Sequence, residues 1–91
     1  MSRQYEAPVG EVETVLARVW QEVLRIERVG RHDNFFELGG HSLLDLRLIT
    51  RVSATFNIPL TILAVFQFPT VMKMSKKIEE LLQLKCEEFL V

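Results

Sequence analysis

The side chain best placed for chemistry is Ser42, which stands in the run NFFELGGHSLLDL (34–46) behind two glycines and a histidine and ahead of leucines. A hydroxyl in that setting can serve as a nucleophile, as a helix cap or as a point of covalent attachment. The nucleophile reading fails on pattern. A strand-to-helix nucleophile elbow needs glycine two residues after the serine, where this chain has Leu44, and a parallel strand before it, of which there is no sign. His41 adjoins Ser42 in sequence, and neighbouring side chains in a turn diverge; His32 has no acid evidently placed to orient it. The cap reading has more behind it: Ser42-Leu43-Leu44-Asp45 matches a capping box with a shortened acid, and a cap is worth about 1 kcal/mol. The attachment reading is also open. Gly39 and Gly40 keep the approach clear, and a phosphodiester on Ser42 would meet free backbone N–H groups and the positive end of a helix dipole.

Ser42 can be positioned only by the elements around it, and their periods are helical. Val12, Val15, Leu16, Val19, Trp20, Val23 and Leu24 recur at three- and four-residue steps, which predicts a first helix over 12–24 with Trp20 as a core anchor. Pro8 and Gly10 mark where the N-terminal segment ends. The next segment, IERVGRHDNFFELGGH, is a long connection rich in turn formers, and Phe35, Phe36 and Leu38 are apolar enough to pin it onto the helices. A second helix starts at or just after Ser42, with Leu44, Leu48, Ile49, Val52 and Phe56 as its core stripe and Asn57 closing it. Leu43 and Leu46 fall off that stripe and suggest a docking surface beside the serine. A short helix over 62–66 follows, capped by Thr61 and ended before Pro69. Thr70 caps the last helix, in which Met74, Ile78, Leu81 and Leu82 keep the spacing and Lys76 and Glu80 make an exposed ion pair. Three long helices and a short one, without strand-like alternation, predict an all-α bundle.

Bulk properties narrow the function classes. A chain of 91 residues holds one modest core, so any large catalytic cleft would come from a partner. With 11 basic against 12 acidic residues, scattered along the chain, the charge footprint of a nucleic-acid binder is missing. Cys86 is the single cysteine, so neither a disulfide nor a thiolate metal site is expected and a reducing cytoplasm fits. No apolar run approaches the length of a membrane span, and MSRQYEAP has no signal core.

The run DNFFELGGHSLL (33–44) closely resembles the motif of peptidyl carrier (thiolation) domains of nonribosomal peptide synthetases, in which the serine of a G-G-H-S-L core carries 4′-phosphopantetheine. The likeness extends to the APxxxxE…W…VL…VG run (7–30) and to FNIPLTILAVFQFPTV (56–71), and so covers residues 5–84. It implies an acyl-carrier-like four-helix bundle without catalysis of its own. Ser42 would take the arm, Gly39, Gly40 and His41 would shape the presenting loop, and Leu43, Leu46, Ile62 and Phe66 would form the face that meets partners. For Phe66, core packing is an equal alternative.

Implied partners are a phosphopantetheinyl transferase and the adenylation, condensation and thioesterase or tailoring domains, met by a monomeric carrier. The implied boundaries are a flexible linker over 1–7, the carrier domain over 8–84 and a helix extension or linker over 85–91. Two departures stand out. Asp45 replaces a small or apolar residue and would bring a carboxylate near the phosphodiester; Leu63 replaces a charged residue and makes the short helix more apolar. An acyl carrier of a polyketide or hybrid synthase shares the architecture, but commonly reads D-S-L and is strongly acidic. A helical docking module with Ser42 as a mere cap is the alternative from another class.

Overall fold

Four helices follow in chain order, α1 (Gly10–Leu24), α2 (Ser42–Phe56), α3 (Leu63–Gln67) and α4 (Val71–Leu90), in a computed structural model that describes residues 5–90, with side chains through Lys85. Residues 1–4, Val91 and the side chain of Cys86 lie outside the described residues. The apolar stripes read from sequence meet in one core: Leu16, Trp20, Leu48, Val52, Val65, Met74 and Ile78 are fully buried. Burial of these side chains is the main force holding the bundle, at roughly 1.5–3 kcal/mol for each large one. α1 packs against both α2 and α4.

Helix ends explain how the elements are delimited. α1 and α2 both stop at a residue in the left-handed region, Arg25 (φ 56) and Asn57 (φ 54), whose N–H returns to Gln21 and Ser53 carbonyls. At the start of α1, the Glu13 carboxylate, four residues on, reaches back to accept the N–H of the N-cap residue Val9 at 3.0 Å and so satisfies a donor outside the helical ladder. Thr70 caps α4 as expected, its Oγ1 accepting the Lys73 N–H at 3.2 Å. α3 differs from its reading. Its N-cap position is Ile62, no side chain caps it, and Thr61 contributes its backbone carbonyl to the Ala64 N–H at 3.0 Å, because a helix this short closes on main-chain turns alone. On α4, Glu80 pairs with Lys77 at 3.8 Å rather than with Lys76.

The long α1–α2 connection is not a loose loop. Phe35 is fully buried, edge-on to Trp20 at 5.1 Å between ring centroids, so the connection places an aromatic in the centre of the core. Its backbone is tied to the α3–α4 junction by Phe35 N–H to the Pro69 carbonyl at 2.8 Å and Met72 N–H to the Arg31 carbonyl at 3.0 Å. Asn34 Oδ1 accepts the Phe36 N–H at 2.9 Å, an Asx turn that bends the chain towards the two glycines. Arg31 grips α1 with Nε and Nη2 each 2.8 Å from a Glu13 carboxylate oxygen. The segment before α1 joins in: the Arg31 N–H donates to the Glu6 carbonyl at 2.9 Å, and Arg28 lies over the Tyr5 ring at 3.9 Å.

Candidate functional site

The loop delivers Ser42 to the very start of α2. The N-cap position belongs to His41, in extended conformation (φ −151, ψ 176), and no side chain caps the helix. Ser42 is the first helical residue, so the cap reading is overturned. Its hydroxyl is exposed and has no hydrogen-bond partner among the described residues. The first intrahelical bond runs from the Asp45 N–H to the His41 carbonyl at 2.7 Å, which leaves the N–H groups of Ser42, Leu43 and Leu44 outside the helical ladder. A free hydroxyl beside uncommitted donors at the positive end of a 15-residue helix is a fitting place for an anionic ester.

The two glycines before Ser42 are needed for different reasons. Gly39 has φ +107 with open space around it, so its requirement is conformational. Gly40 turns inward: a Cβ there would lie 2.3 Å from Cδ2 of Phe35 and 2.7 Å from the Phe35 carbonyl oxygen. The Gly40 N–H donates to that same carbonyl at 3.0 Å. Ser42 is thus referenced, through Gly40 and Phe35, to Trp20 and the core.

Asp45 is not where the sequence suggested. Its side chain is 1% exposed, on the core side of α2, and its Oδ1 has no partner among the described residues. Burial pushes this carboxyl up from its ordinary range, with His41 pulling it partly back. Of the histidines, His41 is exposed, and His32 has Nε2 3.1 Å from Glu6 Oε2, an acid that sequence separation concealed. No hydrogen bond joins either imidazole to Ser42 among the described residues, so the geometry holds no acid–base relay at the serine.

The apolar residues proposed from sequence as a docking face are exposed. Leu43 and Leu46 are 61% and 54% exposed, Ile62 and Phe66 43% and 57%. The exposed Phe66 ring stacks at 5.1 Å on Phe36, a half-buried loop ring that packs against the core and meets Phe35 edge-on. Leu63, at 56%, adds to the apolar character of α3. Leu43 and Leu46 also border a groove between α2 and the end of α1, which the sequence did not reveal because Arg25 and Arg47 come together only on folding. Among the described residues no group of His, Cys, Asp and Glu could hold a metal ion, and no helix is long and apolar enough to cross a membrane.

The model of the phosphopantetheine attachment site family matches residues 14–78. The chain belongs to that family. Its carrier fold is shared with solved structures: it superposes with TM-score 0.86 and 42% identity on the docking-domain complex of the Pax nonribosomal peptide synthetase, covering 93% of this chain and 82% of that one. With the peptidyl carrier protein solved in complex with the phosphopantetheine transferase Sfp and coenzyme A, the TM-score is 0.80 and the identity 32%, over 84% of this chain and 99% of that one. Gramicidin S synthase 2 of Brevibacillus brevis is 45% identical over 78 residues, 86% of this chain. The match spans about 2% of the length of that relative. This is a peptidyl carrier domain of the nonribosomal peptide synthetase type, a 4′-phosphopantetheine-bearing class.

Proposed function

We propose that Ser42 is the residue that takes 4′-phosphopantetheine and that the domain, without catalysing any step, passes aminoacyl or peptidyl intermediates between catalytic domains of nonribosomal peptide synthesis. The observation that carries this is the exposed, unbonded hydroxyl of Ser42 at the first residue of α2, beside three N–H groups that no helix bond uses. When bound, the arm supplies a terminal thiol on which an acyl group is held as a thioester. The protein's part is placement. Gly39 and Gly40 turn the loop so that Ser42 faces outward, His41 holds the extended entry to α2, and the helix terminus favours the negative charge of the phosphodiester. A tether fixed at one point of a rigid bundle raises the local concentration of cargo at every site within its reach.

The partners in this reading are a phosphopantetheinyl transferase and the adenylation, condensation and thioesterase or tailoring domains. Leu43, Leu46, Ile62 and Phe66 offer them a small apolar surface, suited to contacts that form and release in turn. In this reading the carrier unit runs over 8–84, 1–7 is the preceding linker and 85–91 a helix extension or linker; the Glu6 carbonyl accepts the Arg31 N–H, and α4 is helical through Leu90. A monomer working in the cytoplasm completes the reading.

The test is intact mass after incubation with a phosphopantetheinyl transferase, magnesium and coenzyme A. Wild type gains one phosphopantetheine and Ser42→Ala gains none. A folded wild-type domain that stays unmodified while a known carrier is loaded in the same tube overturns the reading. Loading of Ser42→Ala moves the site elsewhere.

A further inference from the structure

Next to Ser42 along α2, beginning at Leu43, α2 and the end of α1 border an open groove of about 570 Å³. Its apolar lining is the buried Val23 with the exposed Leu43 and Leu46. Its charged lining is mostly cationic, with Arg25, Arg47 and Arg51 against a single acid, Glu22. Glu22 is already committed to Arg51, whose guanidinium it meets directly. Arg25 and Arg47 are both exposed and have no ion-pair partner among the described residues. The chain as a whole carries a net charge of −1, so this excess of two positive charges beside the serine is a local feature and not an overflow of bulk charge.

A partner that receives the arm has to approach Ser42, and Leu43 follows it directly; the groove is continuous with that approach. We propose that this partner seats an apolar side chain between Leu43 and Leu46 and lays carboxylates against Arg25 and Arg47, so that the docking partner is an acidic, amphipathic protein segment. This rests on the carrier reading for the statement that Ser42 is the point of approach. The chemistry follows from that charged lining. Opposite charges flanking an apolar contact steer encounter and fix register, whereas a basic partner would be repelled at both arginines. The contact is weak and salt-dependent, since both arginines are exposed and screened beyond about 10 Å at 0.1 M salt.

The test uses the full chain, ¹⁵N-labelled, titrated with two helical peptides that share a leucine face and differ only in flanking it with glutamates or with lysines. The glutamate peptide shifts the amides of Val23, Leu43, Leu46, Arg47 and Thr50 and binds roughly three- to tenfold more tightly than the lysine peptide, the worth of two exposed ion pairs. Arg47→Glu combined with Arg25→Asn, which keeps a residue tolerant of the left-handed conformation at position 25, abolishes or inverts that preference. Equal binding of the two peptides, no shifts with either, or shifts confined to Phe36 and Phe66 overturn the proposal. Mass analysis of loading on the same sample separates it from the carrier reading. A chain that loads at Ser42 but ignores the sign of the peptide refutes the docking proposal alone, and one that binds the glutamate peptide but never loads refutes the carrier reading alone.

Discussion

Gly40 lies so close to the Phe35 ring that a Cβ on it would be 2.3 Å from Cδ2, well inside van der Waals contact, and its N–H is bonded to the Phe35 carbonyl at 3.0 Å. Phe35 in turn stands edge-on to Trp20 in the core. The position of Ser42 is therefore set by packing at the centre of the domain as much as by the loop that carries it.

Gly40→Ala forces either the buried Phe35 ring or the backbone before α2 to move. Overpacking of this kind costs about 1–3 kcal/mol. Urea unfolding should show that loss, and loading of the folded fraction should slow because the entry to α2 is displaced. Gly39→Ala has free space and fails only on its φ of +107, so it should cost about 1 kcal/mol and disturb loading less. An equal effect of the two substitutions would mean that contact with Phe35 does not set the loop.

Two hydroxyls at helix starts make a contrast. Thr70 Oγ1 accepts the Lys73 N–H, whereas Ser42 has no such bond. Thr70→Ala should cost about 1 kcal/mol of stability, the usual value of a lost cap. Ser42→Ala should change stability by less than about 0.5 kcal/mol while abolishing loading. Parallel denaturation curves of the two variants decide this; a loss of cap size at Ser42 would restore the reading of that serine as structural.

The Glu13 carboxyl is held below its ordinary value of 4.5 by hydrogen bonds from Arg31, which outweigh its burial. A carboxyl depressed on folding stabilises the native state fully above that ordinary value and loses the contribution as pH falls through the lower folded value. Glu13→Gln should lower Tm at neutral pH by roughly 5 °C and flatten the acid limb of the stability profile. Because the fork ties the α1–α2 connection to α1, protection of the Arg31 and Asp33 amides against hydrogen exchange should fall as well. Unchanged exchange in that connection would show that the fork does not hold it.

The helices were legible from sequence because a buried stripe repeats at the helical period, as at Leu48 and Val52 or Met74 and Ile78. Ser42 was legible as a candidate because glycines, histidine and leucines of a distinctive motif surround it. What sequence could not show were relations closed by folding alone. Glu13 and Arg31 are 18 residues apart and His32 and Glu6 are 26 apart, so neither pair leaves a local pattern. Asp45 misled for a different reason. Its spacing from Ser42 satisfies a capping box, yet the same spacing puts it one turn before Leu48 and Ile49 on the buried face, and packing prevailed over capping.

That burial of Asp45 makes the last prediction. The carboxyl is enclosed with an unpartnered Oδ1, and burial raises its pKa above the ordinary 3.8 while His41 only partly offsets this. A group raised on folding contributes its full stability below the ordinary value and loses it as pH rises through the higher folded value, the reverse of Glu13. Ionising this enclosed carboxyl therefore costs more than ionising one in water, and the cost to the folded domain grows as pH rises. Asp45→Ala removes that cost and places the best helix former in the first turn of α2. It should stabilise the domain by about 1–2 kcal/mol at pH 7 and by clearly less at pH 4, where the native carboxyl of the wild type is more fully protonated. Urea unfolding of both proteins at the two pH values measures the difference. A gain that is the same at both would assign the effect to helix propensity alone, and a loss at both would mean that the Asp45 carboxyl has a partner in solution.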